Sequence, residues 1–161
     1  MSNELDSRGL RKLFETTSIG ELPIKPCPIL RPDQTAGEAA IAMREHNRGG
    51  VLICDQGRVV GIFTERDWLR LLDQGTDCST PLAQVMTASP GTLTTQNAVA
   101  DAVAMMDRGR YRRVAVLDAD GAPKGLIDVK TIVHFIVEHI PEAVYTQASH
   151  AQMTAKEPEG A

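Results

Sequence analysis

The hydrophobic positions along the chain follow two periods, and the alternation between them predicts the order of the elements. Unbroken apolar runs at Val51–Cys54 and Val114–Leu117 predict buried strands, because a strand covered on both faces is apolar at every position. A turn that contains Asp and Gly follows each run. A second apolar stretch comes next, Val59–Phe63 after the first turn and Pro123–Ile127 after the second. The pattern predicts two β-hairpins, with a short strand at Ile29–Leu30 ahead of the first.

Apolar residues spaced three and four apart predict a helix before and after each hairpin. Thr35-x-x-Glu38 has the form of a capping box that opens the first of them. The others begin at Thr64, include Val99, Ala102, Val103 and Met106, and span Val129–Ile140, where Pro141 ends the last helix. A further amphipathic helix is compatible with Leu5–Glu15.

The order strand, helix, strand, strand, helix occurs twice, and the two copies align residue by residue. When Pro28–Asp55 is laid over Gly91–Asp118, the apolar positions and the turn residues coincide. After one extra residue in the second turn, Gly61-Ile62-Phe63 meets Gly125-Leu126-Ile127. The chain is therefore predicted to be a tandem repeat.

The repeat sets the predicted boundaries along the chain. We expect an N-terminal extension with one helix at 1–21, a first repeat at 22–73, a linker at 74–89, a second repeat at 90–141 and a flexible tail at 142–161. In the linker, Pro81 stands at the expected first position of a helix. Because one such unit cannot close a core alone, we expect the two to pack about a pseudo-twofold axis. The result would be an α/β (α+β) fold with clefts between the units.

Composition and charge narrow the class of protein. Of the 161 residues, 42% are hydrophobic and 24% charged, which is typical of a soluble globular domain. The formal net charge of -4 argues against nucleic acid or a membrane surface as a partner. Three cysteines without metal-ligand spacing indicate free thiols in a reducing compartment. With no signal peptide or apolar run long enough to span a bilayer, we expect a cytoplasmic protein.

Three features of the chain together resemble a tandem pair of CBS (cystathionine β-synthase) domains, a Bateman module. They are the repeat, the hairpin that ends in Gly61-Ile62-Phe63-Thr64-Glu65-Arg66-Asp67, and the linker that ends in Val85-Met86-Thr87. The resemblance covers about residues 22–140. It implies two β-α-β-β-α repeats, and a cleft that binds an adenine nucleotide such as AMP, ADP, ATP or NAD, or S-adenosylmethionine. It also implies a role in signal transduction through regulation of a partner protein.

The resemblance implies roles for individual residues as well. In the family, a glycine-hydrophobic-x-Ser/Thr-x-x-Asp stretch carries the nucleotide, so Thr64 would contact phosphate, Asp67 the ribose hydroxyls and Ile62 the base. Family geometry would place four further residues across the cleft, namely Met86, Thr87, Tyr111 and Arg112.

The residue types support this assignment independently. Thr64 ends a strand and starts a helix, so its hydroxyl and the first free N–H groups face an anion together. One turn later, the carboxylate of Asp67 can accept two hydroxyl donors at once. The same spacing is also that of a capping box with Asp in place of Glu, so a purely capping role is the alternative.

The second repeat departs from the family pattern at the matching positions. It has Asp128 where Thr64 stands and Thr131 where Asp67 stands. Asp128 would cap the helix but repel a phosphate, and Thr131 binds a ribose less well than a carboxylate does. The sequence therefore predicts one nucleotide site per chain.

The segment Arg108–Arg113 concentrates four positive charges in an otherwise acidic chain. Guanidinium groups suit bidentate binding of phosphate, so Arg112 and Arg113 are candidate ligands, as is Arg66 just after Thr64. A solvated basic edge is the alternative. The first repeat has Gly49-Gly50 where Arg112-Arg113 stand, so it leaves room there but supplies no charge.

Nothing in the sequence indicates catalysis, since no nucleophile elbow, phosphate-binding loop or pair of carboxylates occurs, and His134 and His139 are poorly spaced for one metal ion. With the resemblance, the sequence predicts an energy- or redox-sensing regulatory module that is not an enzyme and holds no catalytic cofactor. The alternative is a structural module for protein interaction with a vestigial pocket. Surplus apolar residues on the last helix, together with Trp68 and Leu69, predict a homodimer. The regulated protein is unknown.

Overall fold

Two small β-sheets, each with helices packed on it, account for most of residues 7–139, which the computed structural model describes. The first sheet has the strand order β1 (Ile29–Leu30), β2 (Gly50–Asp55), β3 (Arg58–Thr64) and β4 (Thr87–Ala88). The second has the order β5 (Thr92–Thr94), β6 (Arg113–Leu117) and β7 (Pro123–Asp128). In each sheet the first pair of strands is parallel and the remaining pairs are antiparallel.

Six α-helices connect and cover these strands within the described residues. They are α1 (Ser7–Thr16), α2 (Ala36–Glu45), α3 (Glu65–Asp73), α4 (Leu82–Val85), α5 (Val99–Gly109) and α6 (Val129–His139), with a single 3-10 turn at Ile19–Glu21. None of the helices in this part of the chain is long and apolar enough to cross a membrane.

The predicted order strand, helix, strand, strand, helix is confirmed in both repeats. The strand Ile29–Leu30 has its predicted bounds, and the hairpin strands extend the predicted ones by one residue at one or both ends, as where Val51–Cys54 becomes Gly50–Asp55. The N-terminal helix is confirmed over its described part and ends at Thr16. Ile140, Pro141 and the predicted tail at 142–161 lie outside the described residues.

The predicted capping box at Thr35 is also confirmed. The Thr35 hydroxyl accepts the Glu38 backbone N–H at 3.2 Å, and the Glu38 carboxylate accepts the Thr35 N–H at 2.7 Å. In the second repeat Ala98 stands at the cap position, and only the carboxylate half remains, with Asp101 accepting the Ala98 N–H at 3.0 Å. The same helix therefore starts at the same place in both repeats with half the side-chain bonds in the second.

The segment ahead of each repeat packs on the opposite repeat. Ile19 donates its N–H to the Asn97 carbonyl and is fully buried in the second repeat's core, and Lys25 pairs with Leu126 at the edge of β7. In the same way β4 extends the first sheet beside β3, and Leu82 of α4 is fully buried in the first repeat's core. The two repeats are thus interlocked rather than joined by one connection.

The expectation that Pro81 is the first helical residue of α4 is wrong by one position. Pro81 is the N-cap, with φ of -61°, which a helix would accept, and ψ of 142°, which is extended.

The sheets face each other across an apolar layer, which places the clefts. Alternate residues of β2 point in opposite directions: Val51 and Ile53 pack on the first repeat's helices, whereas Leu52 and Cys54 face the second sheet. The layer between the sheets contains Leu52, Cys54, Ile62, Ala115 and Leu126. This double burial explains the unbroken apolar run in the sequence, and the clefts open at the two ends of the layer.

Candidate functional site

One cleft between the repeats gathers the predicted ligand-binding residues, and we call it the first cleft. Its empty space is about 670 Å³, part of it open to solvent. It is lined by Ile62, Thr64, Arg66, Asp67, Thr87, Pro90, Gly91, Tyr111, Arg112, Arg113 and Ala115. All the predicted residues except Met86 therefore line one cavity, with contributions from both repeats.

Met86 does not line this cleft. Its side chain packs directly on Gly61, beside the first repeat's core. Met86 and Thr87 are neighbours on an extended segment, so their side chains point to opposite faces and only Thr87 faces the cleft. The expectation of a cleft position for Met86 is wrong for this reason.

Thr64 and Asp67 form a hydrogen-bonded pair at the start of α3. The Asp67 carboxylate accepts the Thr64 backbone N–H and the Thr64 hydroxyl, each at 2.8 Å, and Arg70 donates to its other oxygen at 3.2 Å. Asp67 is buried, so these three donors stabilise a charge that water reaches poorly. The bonds are those of a helix cap, while both residues still line the cleft.

The opposite wall is basic and is positioned by the end of α5. Arg110 adopts a left-handed conformation with φ of 52°, which stops the helix and turns the chain toward β6. Tyr111 then lies with its ring against Gly109, where any side chain would collide with it. Tyr111 and Arg112 are both exposed, and Arg113 at the start of β6 is half-buried.

Several contributors to the first cleft were missed at the level of sequence. Pro90 and Gly91 form the loop between β4 and β5, and Ala115 is the inward-facing residue of β6. Alternation along β6 is a signal that could have found Ala115, since Val114 and Val116 face the other way, into the second repeat's core. The i, i+3 spacing of Asp67 and Arg70 on α3 is the corresponding signal for the ion pair.

A second, smaller cleft lies at the pseudo-equivalent position, and we call it the second cleft. It has about 400 Å³ of empty space and is lined by Lys25, Asn47, Arg48, Gly49, Arg113, Leu126 and Asp128. Lys25 occupies the position opposite Leu126 that Thr87 occupies opposite Ile62. Its ammonium group lies 3.0 Å from the Asp128 carboxylate, so one of the three cations that line this cleft binds its carboxylate.

Asp128 also caps α6. It accepts the Thr131 backbone N–H at 2.8 Å and the Thr131 hydroxyl at 2.9 Å. Burial raises the pKa of Asp128, but the hydrogen bonds from Thr131 and Lys25 and the charge of Lys25 outweigh it, so the pKa lies below its ordinary value of 3.8. Asp128 is therefore ionised at neutral pH, which would repel a phosphate placed against it.

The side chains of His139, Cys54 and Cys27 make structural contacts. The His139 ring packs on Phe135 at 4.3 Å between centroids, and its Nδ1 lies 2.7 Å from the Phe135 carbonyl oxygen. Cys54 is buried in the layer between the sheets, and burial raises the pKa of the nearby Cys27 thiol to about 11. Over residues 7–139, no group of three or more His, Cys, Asp or Glu side chains could hold a metal ion.

Comparison with known proteins gives the same picture of the fold. A family model described as "CBS domain" matches residues 19–74 and 82–138. An uncharacterised 17.7 kDa protein of Acidianus ambivalens is 28% identical over 123 residues, which cover 76% of this chain and 74% of that protein. The CBS domain-containing protein YhcV of Bacillus subtilis is 35% identical over 88 residues, 54% of this chain and 63% of that protein.

Solved structures share the architecture. The CBS domain protein PAE2072 from Pyrobaculum aerophilum, complexed with AMP, superposes with a TM-score of 0.67 at 22% identity, covering 83% of this chain and 98% of that one. The CBS domain pair of MJ0100, in complex with 5′-methylthioadenosine and S-adenosyl-L-methionine, superposes with a TM-score of 0.69 at 22% identity, covering 77% and 98%. At these identities the likeness shows the fold.

Proposed function

The chain belongs to the CBS domain family, and from that premise we propose that its first cleft binds an adenine nucleotide and that the module regulates a partner protein without catalysing a reaction. The observation that carries the proposal is the opposition of two kinds of chemistry across the first cleft. On one wall stand Thr64 and Asp67, and on the other Arg112 and Arg113.

These two walls match the two polar ends of a nucleotide. Ribose hydroxyls are hydrogen-bond donors, which a carboxylate such as that of Asp67 accepts, and phosphate oxygens are acceptors, which guanidinium groups donate to. Between the walls, Ile62 and Ala115 provide an apolar surface for the base. A ligand with only one of these groups would leave part of the cleft unmatched.

The contacts around Thr64 suggest how a nucleotide would enter. In the structure the Thr64 hydroxyl donates its hydrogen bond to the Asp67 carboxylate. A ribose hydroxyl that binds Asp67 would replace this donor, and the freed Thr64 hydroxyl could then donate to phosphate. Ribose and phosphate binding would therefore be linked through one side chain.

The basic wall favours some adenosine-containing ligands over others. The solved CBS proteins named above hold AMP in one case and 5′-methylthioadenosine with S-adenosylmethionine in the other, and all three ligands share the adenosine unit. They differ at the 5′ end. Because a sulfonium cation would face Arg112 and Arg113, we propose AMP, ADP, ATP or NAD ahead of S-adenosylmethionine.

The direct test is isothermal titration calorimetry of the purified chain with each of these ligands. We expect about one molecule of AMP, ADP, ATP or NAD to bind per chain, with thermal unfolding shifted to higher temperature by the same ligands. No binding by any of them would overturn the proposal. It would leave a structural module for protein interaction as the better account.

The observation that favours an interaction role is an apolar face on α3 and α6. On α3, Leu69 is 65% exposed and Leu72 55% exposed. On α6, the valines at positions 129, 133 and 137 are four residues apart, so they form one exposed stripe along the helix. Trp68 lies outside this face, because it packs edge-on against Phe63 in the first repeat's core. Ile132 and Phe135 are likewise buried within the chain.

We propose that this face pairs with a second copy to form a homodimer. Static light scattering at tens of micromolar should give twice the mass of the chain. Replacement of Val133 by Glu, at the middle of the stripe, should give a monomer with unchanged nucleotide stoichiometry. A monomeric wild-type chain would contradict the proposal.

A further inference from the structure

One ion pair joins the two repeats at the place where the two clefts meet. Arg113, at the start of β6, donates to the Glu65 carboxylate at 3.2 Å, and Glu65 is the first residue of α3, directly after Thr64. Arg113 lines both the first cleft and the second. The same guanidinium group is therefore within reach of a ligand and already bound to a carboxylate.

The two partners are unequally exposed. The Arg113 side chain is 26% exposed and the Glu65 side chain 66%. A mostly hydrated carboxylate loses little interaction free energy when it leaves such an ion pair, because water molecules take the place of the guanidinium group. Arg113 is held between the repeats and cannot regain as much hydration, so Glu65 is the partner that can be exchanged.

Gly49 makes room for the pair. A Cβ at residue 49 would collide with the Arg113 guanidinium group and would lie 2.7 Å from the Glu65 carboxylate. Its counterpart in the second repeat is Arg112, so the two repeats differ here in side-chain volume as well as in charge. The absence of a side chain at this position lets α3 of one repeat reach β6 of the other.

We propose that Glu65 is a specificity-determining residue of the first cleft: its carboxylate holds Arg113, and the phosphate group of an entering ligand must displace it. The inference rests on the proposed nucleotide site and adds a penalty on ligand charge, because Glu65 weakens the binding of phosphate-bearing ligands and leaves that of a neutral nucleoside unchanged. A phosphate group competes for a guanidinium because it carries more negative charge and the same bidentate geometry. A neutral nucleoside has no group that could displace Glu65, so the ion pair between Arg113 and Glu65 would remain intact when a nucleoside binds.

The test compares three probes on the full chain: AMP, adenosine and inorganic pyrophosphate. Glu65→Gln keeps the side-chain shape and removes the competing charge. AMP and pyrophosphate should therefore bind about three- to fivefold more tightly, because an exposed ion pair contributes up to about that factor, and the affinity for adenosine should not change. The matched control is Glu15→Gln, which removes the same charge from the Arg11–Glu15 pair on α1 and should change none of the three affinities. In an Arg113→Met background, Glu65→Gln should have no effect.

The outcomes separate this inference from the function on which it rests. If Glu65→Gln leaves the ratio of AMP to adenosine affinity unchanged, displacement of Glu65 is wrong and the nucleotide site stands. If the wild-type chain binds neither AMP nor adenosine, the proposed nucleotide site is wrong. The displacement of Glu65 from Arg113 is then tested by pyrophosphate binding alone. Tighter pyrophosphate binding by Glu65→Gln would then support exchange at Arg113, and unchanged or absent binding would overturn it.

Discussion

The helix starts beside the two clefts have the same pair of side chains in opposite order. In the first, Thr64 stands at the cap of α3 and Asp67 one turn inside the helix. In the second, Asp128 stands at the cap of α6 and Thr131 one turn inside. In both, the threonine hydroxyl and the threonine backbone N–H donate to the aspartate, at distances between 2.8 and 2.9 Å. The helix therefore gains nearly the same hydrogen bonds from either order.

What the order changes is the position of the negative charge. In the first cleft the carboxylate is withdrawn and buried, and the wall opposite carries Arg112 and Arg113. In the second cleft the carboxylate stands at the cap, where an anion would approach, and Lys25 is bound to it. Since capping tolerates both orders, capping alone does not account for the difference between the clefts, and the proposed anionic ligand of the first cleft would account for it.

The largest expected effect comes from neutralising the aspartate of one cleft and then of the other. Asp67→Asn removes the charge that would accept the ribose hydroxyls, so we expect AMP affinity to fall about 10- to 100-fold. A hydrogen bond to a charged group contributes about 1.5–3 kcal/mol, and about 1.4 kcal/mol is one decade of affinity. Asp128→Asn should change AMP affinity less than twofold. Calorimetry on both variants makes the comparison.

Thermal unfolding supplies the control for this pair. Both substitutions remove a charged partner of a threonine at a helix start, so both should lower the melting temperature by similar amounts. If Asp67→Asn lowers the melting temperature and leaves AMP affinity intact, Asp67 only caps the helix and the two clefts do not differ in function at this position.

A smaller effect is expected from converting the second cleft into a copy of the first. The triple variant Lys25→Thr, Asp128→Thr, Thr131→Asp restores the order of the first cleft and frees its entrance. Calorimetry should then detect a second molecule of AMP per chain. Its affinity should be at least about tenfold weaker than at the first site, because Gly49 stands where the second repeat has Arg112, so that guanidinium group has no counterpart in the second cleft.

The matched control for this conversion keeps Lys25 and exchanges only Asp128 and Thr131. It should show one site, because the retained Lys25 ammonium group would bind the carboxylate introduced at position 131 and remain in the cleft. A triple variant that folds and still binds one AMP would mean that the order of the two side chains does not determine binding.

Much of this arrangement follows from local patterns in the sequence. The capping box at Thr35 and the apolar run of β2 each depend on residues close together in the chain, so spacing and period reveal them. The internal repeat is found by aligning one half of the sequence with the other. The cleft-lining positions of Thr64 and Asp67 are what the resemblance to a CBS domain pair implies, since the local spacing by itself fits a helix cap equally well.

The features that sequence patterns did not reveal are those set by packing between distant segments. A two-residue strand such as β4 has no measurable period, so its addition to the first sheet depends on where the linker crosses. The burial of Ile19 in the second repeat's core has the same origin. The Lys25–Asp128 pair joins residues 103 positions apart, and no pattern around either residue indicates the other as its partner.

The smallest expected effect is a difference in acid stability between the clefts. The pKa of Asp128 is lowered on folding, so its contribution to the free energy of unfolding is fully present above its ordinary value of 3.8 and is lost as the pH falls through the lower, folded-state value. The first cleft has the non-ionising Thr64 at the equivalent cap. We expect Asp128→Asn to be less stable than the wild-type chain at pH 6, by about 1 kcal/mol, with a smaller difference at about pH 3.

Urea unfolding at several pH values measures this difference in the free energy of unfolding. The control is Asp73→Asn, which replaces an exposed aspartate at the end of α3. A gap that stays constant over this range of pH would contradict a stabilising role for the charge at Asp128.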